Sequence, residues 1–198
     1  MALATWWTAD PQMDLAPVAG FQVRLANDDA ALAHITHLTH ADIQGRRRGG
    51  HRPYVGSLGD TPVAYGWVAT RAASIGELAL VFPLPTGDRY LWDAATLPAW
   101  HEHGLYPRLL QASVRAEEAE RFWILHTPEN LASGAETQNA GFQAVGQLAF
   151  RPDGTVGLIP IGLPERARIG AALLGVPLLK EGRSPCWRCM DRVACTCQ

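Results

Sequence analysis

The chain has 198 residues, which is enough for one domain of about 150 residues with extensions. Forty-seven per cent of the residues are apolar and 18% are charged, as is typical of a globular protein. The formal net charge of −2 provides no overall positive field, so the composition argues against nucleic acid as a partner.

The apolar runs at residues 78–85 and 169–179 are too short to span a bilayer, so no membrane association is expected. The first residues lack a basic segment followed by a long apolar segment, which argues against a signal peptide. These features predict a cytoplasmic protein. Residues 1–19 are rich in turn-forming residues and are expected to form an N-terminal extension, either packed on the domain or partly ordered.

Alternating apolar and polar residues predict a first strand over Phe21–Leu25. A helix is expected from about residue 28 to about residue 43. It carries His34, His37 and His40 at a spacing of three, which suits a solvated face, the lining of a cleft or a metal site. The arginine-rich stretch at residues 44–52 is expected to be a flexible loop, either solvated or acting as a lip that recruits anions.

The remaining pattern predicts a mixed sheet. Residues 54–58 and 63–71 form a hairpin signature, and residues 76–82 and 89–96 read as buried strands. A helix over residues 105–120 and a strand over residues 121–126 then imply a parallel crossover. A short helix over residues 130–139, a hairpin of residues 142–150 and 155–161, and a helix over residues 165–174 complete the pattern.

The stretch of residues 97–110 lies between the predicted central strand and a helix. Such a junction collects unpaired backbone N–H groups at the positive end of the helix dipole. Gly104 and Pro107 suit the start of this helix, because glycine allows close approach and proline is tolerated in a first turn. The stretch therefore predicts a site for phosphate groups.

Three short motifs in this order resemble those of the GNAT superfamily of N-acetyltransferases over about residues 20–161. Residues 98–110 resemble the acetyl-CoA-binding loop, whose signature is Arg/Gln-x-x-Gly-x-Gly/Ala, although His101 and Tyr106 stand where the signature has other residues. Asn130 and Ser133 resemble the Asn-x-x-Ser motif. Residues 141–146 resemble the Gly-Phe-x-x-x-Gly ending. The resemblance implies a mixed α/β domain with a central, twisted, mostly antiparallel sheet, one splayed parallel strand pair, and helices on its faces.

The resemblance also implies a cosubstrate and its contacts. Acetyl-CoA would place its pantetheine arm along the edge of the central strand and its pyrophosphate on the backbone of the following loop, with Asn130 and Ser133 near the thioester. An amine, on a small molecule or a protein, would enter from the side of the first helix and attack the thioester directly. The implied contacts to the cosubstrate come from Ala94, Thr96, Leu97, His101, Glu102, His103, Gly104, Leu105, Tyr106, Asn130 and Ser133.

The identity of the catalytic base stays open among four residues. Asp93 and Glu77 are favoured because the amine should arrive on the strand side, and His101 and His103 are alternatives because histidine titrates near neutral pH. Each residue also has a possible non-catalytic role. Asp93 would pair with an arginine, Glu77 would face solvent, and His101 and His103 would hold the loop in shape. The tyrosine that often acts as the acid in the family is replaced by Thr137.

All four cysteines lie in the last 13 residues, within an expected C-terminal extension of residues 162–198. Four thiolates at this spacing could bind zinc, although free or disulfide-linked thiols and an iron–sulfur cluster are alternatives. The candidate ligands are Cys186, Cys189, Cys195 and Cys197.

Two functions are therefore weighed. The first is an acetyl-CoA-dependent N-acetyltransferase, and a homodimer is compatible with it. The alternative is a catalytically weak or inactive protein of the same fold that binds or regulates through a cysteine-rich, metal-binding tail.

Overall fold

The computed structural model describes residues 1–11, 13–127, 129–151 and 153–182. Within these residues the strands are β1 (Ala2–Trp7), β2 (Phe21–Leu25), β3 (His51–Leu58), β4 (Thr61–Ala69), β5 (Ala72–Ile75), β6 (Leu80–Pro83), β7 (Asp88–Thr96), β8 (Arg121–His126), β9 (Gln143–Phe150) and β10 (Val156–Pro160). The helices are α1 (Asp29–Thr36), α2 (His40–Arg48), α3 (Leu105–Ala116), α4 (Leu131–Asn139) and α5 (Pro164–Leu174).

Eight strands form one sheet in the order β10-β9-β1-β8-β7-β4-β3-β2. Neighbouring strands are antiparallel except for β7 and β8, which are parallel and are joined by α3 as the crossover. This arrangement confirms the predicted mixed α/β fold with a mostly antiparallel sheet and one parallel pair. The remaining two strands, β5 and β6, form a separate small sheet.

The first strand lies inside the sheet, which differs from the extension expected from the sequence. Ala2–Trp7 pairs antiparallel with β8 on one side and with β9 on the other. Four consecutive residues, from Leu3 to Trp6, are buried, because both faces of this central strand are covered. A strand buried on both faces lacks the alternation of apolar and polar residues that marks a half-exposed strand, so its sequence gives little signal.

Helices cover both faces of the sheet. On one face, Leu109 and Leu110 of α3 pack with Leu91 and Phe122 of the central strands. On the other face, α1 and α2 bury Leu32, Ile35 and Ile43 against Trp67 of β4. Farther along this second face, α5 packs with the β5–β6 hairpin over β1, β8 and β9. The parallel pair is therefore enclosed between two helical layers.

The predicted single helix over residues 28–43 is in fact two helices. His37 ends α1 with a left-handed backbone (φ 57°), and Thr39 and Asp42 then form a capping box that starts α2. Because α2 continues to Arg48, most of the predicted basic loop is helical. The three histidines His34, His37 and His40 lie on two helices and the turn between them, and do not form one helical stripe.

Candidate active site

The two parallel strands separate at one end. Residues Asp88 to Leu91 of β7 pair with residues Arg121 to Ile124 of β8, and the two strands make no further pairs with each other in the described chain. β7 nevertheless continues to Thr96, held only by β4, and β8 continues to His126. One edge of β7 is therefore left without a strand partner, and an open wedge lies between the strands.

A β-bulge interrupts β7 beside this wedge. Trp67 pairs with Trp92 and Tyr65 pairs with Ala95, so that two residues, Asp93 and Ala94, stand opposite Gly66 alone. Asp93 has a left-handed backbone, with φ 45°. A bulge of this kind re-aims side chains, and here both Trp92 and Asp93 contact α2, although neighbours on a regular strand point to opposite faces.

Arg46 of α2 joins these two side chains. Its Nη1 lies 2.5 Å from Oδ2 of Asp93, and its guanidinium lies 4.4 Å from the ring centre of Trp92 and 4.9 Å from that of Trp67. We name Arg46, Trp67, Trp92 and Asp93 the indole cluster. The carboxylate expected to act as a base is therefore paired with an arginine, which is the structural alternative weighed for Asp93.

His51 and Tyr65 border the indole cluster. The Nδ1 atom of His51 lies 3.0 Å from Nε1 of Trp92, which donates the hydrogen bond, so the remaining ring nitrogen carries the proton in the neutral histidine. Burial, and then the charge of Arg46, lower the pKa of His51. Burial and the Asp93 carboxylate raise the pKa of Tyr65. Both groups therefore stay uncharged at neutral pH.

The junction between β7 and α3 collects free backbone donors. Within the described chain, no protein group accepts a hydrogen bond from the N–H of Glu102, His103 or Gly104. Gly104 precedes α3 with φ 63° and provides no side-chain cap to the first turn. This left-handed backbone conformation favours glycine, and the Arg108 guanidinium packs against the residue, with its Nη1 only 2.8 Å from where a Cβ atom would lie.

Side chains of the same loop brace it from within. The Nε2 atom of His101 lies 2.9 Å from the carbonyl oxygen of Thr96, and Nδ1 of His103 lies 2.7 Å from the carbonyl oxygen of His101. His103 also packs edge-on against Trp100. These contacts agree with the structural alternative for both histidines. Thr96 is the last residue of β7. Its hydroxyl is buried and has no hydrogen-bond partner among the described residues.

The start of α4 holds the two motif residues Asn130 and Ser133. Oδ1 of Asn130 accepts a hydrogen bond from the N–H of Ser133 at 3.0 Å, which caps the helix. The phenol of Tyr106 reaches across from α3 to the Ser133 and Thr137 side chains, and burial raises its pKa. Tyr106, in the first turn of α3, and Thr137 of α4 are therefore neighbours.

Glu77 lies away from the central strand. It was expected on the strand preceding the central one, but it is an exposed residue in the 3-10 turn Gly76–Leu78, between β5 and β6. That hairpin forms its own sheet, and the actual neighbour of β7 is β4. The strand prediction was wrong here because Gly76 and the left-handed Ala79 form a turn.

Several residues of this region were not identified from the sequence. Arg46, Trp67 and His51 come from three separate elements, and only the fold brings them together. His126, at the end of β8, packs so closely on α4 that a Cβ atom at Gly134 would lie 2.9 Å from its ring. The bulge that re-aims Asp93 leaves no motif in the sequence, so composition and spacing could not reveal this grouping.

In the described parts of the chain, no three histidine, cysteine, aspartate or glutamate side chains are grouped so as to hold a metal ion. The histidines of α1 and α2 therefore do not form the metal site considered above. The predicted zinc ligands Cys186, Cys189, Cys195 and Cys197 lie outside the described residues. No helix among the described residues is long and apolar enough to cross a membrane.

Comparison with known proteins gives a fold but no sequence relative. No protein family and no curated protein matches the sequence. Among solved structures, a Bacillus subtilis acetyltransferase in complex with CoA is 11% identical, with a TM-score of 0.50, over 66% of this chain and 80% of that one. A GCN5-related N-acetyltransferase from Kribbella flavida is 15% identical, with a TM-score of 0.49, over 72% of this chain. The match spans about half, 53%, of the Kribbella protein.

The ribosomal-protein-S18-alanine N-acetyltransferase of Escherichia coli is 14% identical, with a TM-score of 0.48, over 69% of this chain and 88% of that one. The chain described here has the GNAT fold, which the likeness to the Bacillus subtilis acetyltransferase supports. The resemblance found in three short motifs is thereby confirmed at the level of architecture.

Proposed function

We propose that this protein is an acetyl-CoA-dependent N-acetyltransferase that transfers the acetyl group directly from the thioester to an amine. One observation carries the proposal: the wedge between β7 and β8 opens beside the unpaired N–H groups at the start of α3. An unpaired strand edge can hydrogen-bond the amide groups of an extended ligand, and free backbone N–H groups at the start of a helix can bind its phosphate groups. The GNAT fold of the chain supports the same conclusion.

The residues of the wedge suit acetyl-CoA. The backbone of β7 from Ala94 to Thr96, and that of Leu97 just after it, would hydrogen-bond the pantetheine arm, and the Thr96 hydroxyl, which has no partner among the described residues, offers a further polar contact. Backbone N–H groups from Glu102 to Tyr106 would bind the pyrophosphate, with Leu105 and Tyr106 in the first turn of the helix. His101 and His103 would shape this loop through their contacts with backbone carbonyls.

Acetyl-CoA supplies the acetyl thioester. In the transfer, the amine nitrogen forms a bond to the acetyl carbon, the carbon–sulfur bond breaks, and the proton lost by nitrogen is balanced by the one gained by the thiol. Asn130 and Ser133 would lie near the thioester. Of the two candidate carboxylates, Asp93 is favoured for contact with the acceptor, because it lies on the bulge beside the wedge whereas Glu77 lies on the separate hairpin.

A second function is kept because of the Arg46–Asp93 pair and of Thr137. The Asp93 carboxylate is already engaged by the Arg46 guanidinium, which leaves it less free to contact an amine. A protein of this fold that binds acetyl-CoA but transfers poorly, and acts through a metal-binding cysteine tail, would have these features. Metal analysis of the purified protein tests the tail. Less than about a tenth of an equivalent of zinc or iron would eliminate that role.

Calorimetric titration with acetyl-CoA tests the proposed function. The wild-type protein should bind, and Gly104→Glu should abolish binding, because it places a carboxylate among the anion-binding N–H groups. Gly59→Glu is the matched control: Gly59 has a similar φ of 57°, and a Cβ atom there would meet no atom within 4 Å. No binding to the wild type at millimolar ligand would refute the proposal, as would equal binding by both variants.

The acceptor is proposed as an amine on a small molecule or a protein, and a cytoplasmic location and a homodimer are consistent with that role. A panel of amines assayed by release of the free thiol would identify it. Binding of acetyl-CoA without transfer to any member of a broad panel would favour the second function.

A further inference from the structure

The indole cluster has the composition of a binding site for a cation. Two indole faces and a carboxylate are the groups that attract ammonium and guanidinium ions in proteins. The ring centres of Trp67 and Trp92 are 6.4 Å apart, and the rings are inclined at 38°. Both face the same guanidinium, which also meets Asp93. The chain's own Arg46 thus fills a site that would suit an external cation.

The walls of this site are fixed. Trp67 is 1% exposed, and its indole nitrogen has no hydrogen-bond partner among the described residues. Trp92 is held by the hydrogen bond from its Nε1 to His51. Asp93 is held by the bulge, whose backbone pairs with β4 on either side. These three side chains are therefore held by contacts that do not involve Arg46.

Arg46 is the member that can leave. It lies in the last turn of α2 on a long side chain, which is 20% exposed, and Asp93 is 33% exposed. The attachment of α2 does not depend on it, because Ile43 is fully buried and because both Gln44 and Arg47 bind Asp29 of α1. Rotation of the Arg46 side chain toward solvent would open the site without moving the helix.

We propose that Trp67, Trp92 and Asp93 of the indole cluster bind a cationic group of the acceptor, which takes the place of the Arg46 guanidinium over the two indole rings and against Asp93. This inference rests on the proposed function, since it concerns the acceptor of the same reaction. It makes Arg46 an internal competitor that leaves when a suitable acceptor arrives.

The chemistry of the site also defines the acceptor. An ammonium held against a carboxylate is stabilised in its protonated form, so it has no lone pair with which to attack a thioester. The nitrogen that reacts is therefore a second one, which must be neutral. The acceptor class is an aliphatic diamine or polyamine: one nitrogen is held as a cation in the indole cluster, and another reaches the wedge between β7 and β8.

Titration calorimetry with 1,4-diaminobutane, without acetyl-CoA, tests this inference. Arg46→Ala should tighten binding about 5- to 10-fold, because the competing cation is removed. Asp93→Asn should weaken binding at least 10-fold. Arg48→Ala is the matched control: it removes the same charge from the same turn of α2, but the exposed Arg48 side chain lies outside the cluster. Its dissociation constant should stay within twofold of wild type.

Three results would overturn the inference: no heat from either wild type or Arg46→Ala, no tightening by Arg46→Ala beyond that of Arg48→Ala, or binding of a dicarboxylate such as glutarate that is lost with Arg46. Circular dichroism checks that Arg46→Ala is folded. If Arg46→Ala is unfolded, the comparison of Asp93→Asn with wild type decides: weaker diamine binding by Asp93→Asn supports the inference, and equal binding overturns it. Because acetyl-CoA is omitted, failure of cosubstrate binding and failure of cation binding are observed separately.

Discussion

The buried carboxylate of Asp88 accepts a hydrogen bond from the indole Nε1 of Trp123, at 3.0 Å, where β7 and β8 begin to run side by side. Nε of Arg121 donates to the other carboxylate oxygen at 2.7 Å. Asp88 is 1% exposed, so these two donors take the place of water around its carboxylate. The contact joins the two strands firmly at one end, and only four residues later their pairing stops. The wedge therefore opens in one direction only.

Asp88→Ala should lower the free energy of unfolding by about 3 kcal/mol, because it leaves Arg121 and the Trp123 indole without their partner. Guanidinium chloride unfolding measures this change. Arg151→Ala is a suitable control: its partner Asp153 is half exposed, and the loss should be less than about 0.5 kcal/mol. A cost below 1 kcal/mol for Asp88→Ala would show that the strands are held together by other contacts.

Thr96→Val should separate binding from stability. The Thr96 hydroxyl is buried and has no partner in the described chain, so its removal should change the unfolding free energy by no more than about 0.5 kcal/mol. If the hydroxyl contacts the pantetheine arm, the dissociation constant for acetyl-CoA should rise about three- to tenfold. Ser113→Ala removes a hydroxyl whose partner among the described residues is the Leu109 carbonyl of its own helix, and should leave the affinity unchanged. Unchanged affinity in Thr96→Val would remove Thr96 from the proposed contacts.

Because of His51, the protein should be less stable in mild acid than at neutral pH. Burial and Arg46 lower its pKa from the ordinary 6.5, so the unfolded chain takes up a proton at a pH where folded His51 stays neutral. Its contribution to stability is thus complete above pH 6.5 and is lost as the pH falls below that value.

His51→Asn keeps an acceptor for the Trp92 indole and cannot titrate. Its unfolding free energy should fall less than that of the wild type between pH 7.5 and pH 5. The other histidines are common to both proteins and cancel in the comparison. Parallel pH profiles would mean that His51 titrates alike in the folded and unfolded states.

The sequence predicted several local elements well. The bounds of β2 and β8 agree with prediction, and α3 begins at Leu105 as expected. The failures have specific causes. Ala2–Trp7 is buried on both faces and so lacks a period, and the capping residues Thr39 and Asp42 break a stretch that otherwise has helical spacing.

The candidate site was predictable only in part, for a different reason. Gly104, Asn130 and Ser133 stand in short motifs with a fixed spacing, so they can be read along the chain. Arg46, Trp67 and Trp92 come from three elements, and they meet because of a strand order and a bulge that leave no motif. Side chains that are distant in the sequence and meet only in the folded structure cannot be recognised as one site until the fold is known.

Glu117 shows that the two ends of α3 have separate tasks. Its carboxylate is fully buried, and it accepts hydrogen bonds from Tyr54 at 2.6 Å and from Arg89 at 3.1 Å. Arg52 lies 3.2 Å away. The proposed pyrophosphate site lies at the other end of the helix, about 18 Å away for twelve residues. The C-terminal end of α3 holds the helix on the sheet, and its N-terminal end would bind the ligand.

Tyr54→Phe should therefore lower stability and leave acetyl-CoA binding intact. It removes one hydrogen bond to a buried charge, which costs about 1.5–3 kcal/mol, while both arginines still neutralise Glu117. Denaturant unfolding and calorimetry on the same sample measure the two effects. A weakened affinity in a variant that is fully folded at the assay temperature would mean that the position of α3 is transmitted along its length to the loop around Gly104, and the two tasks would then be coupled.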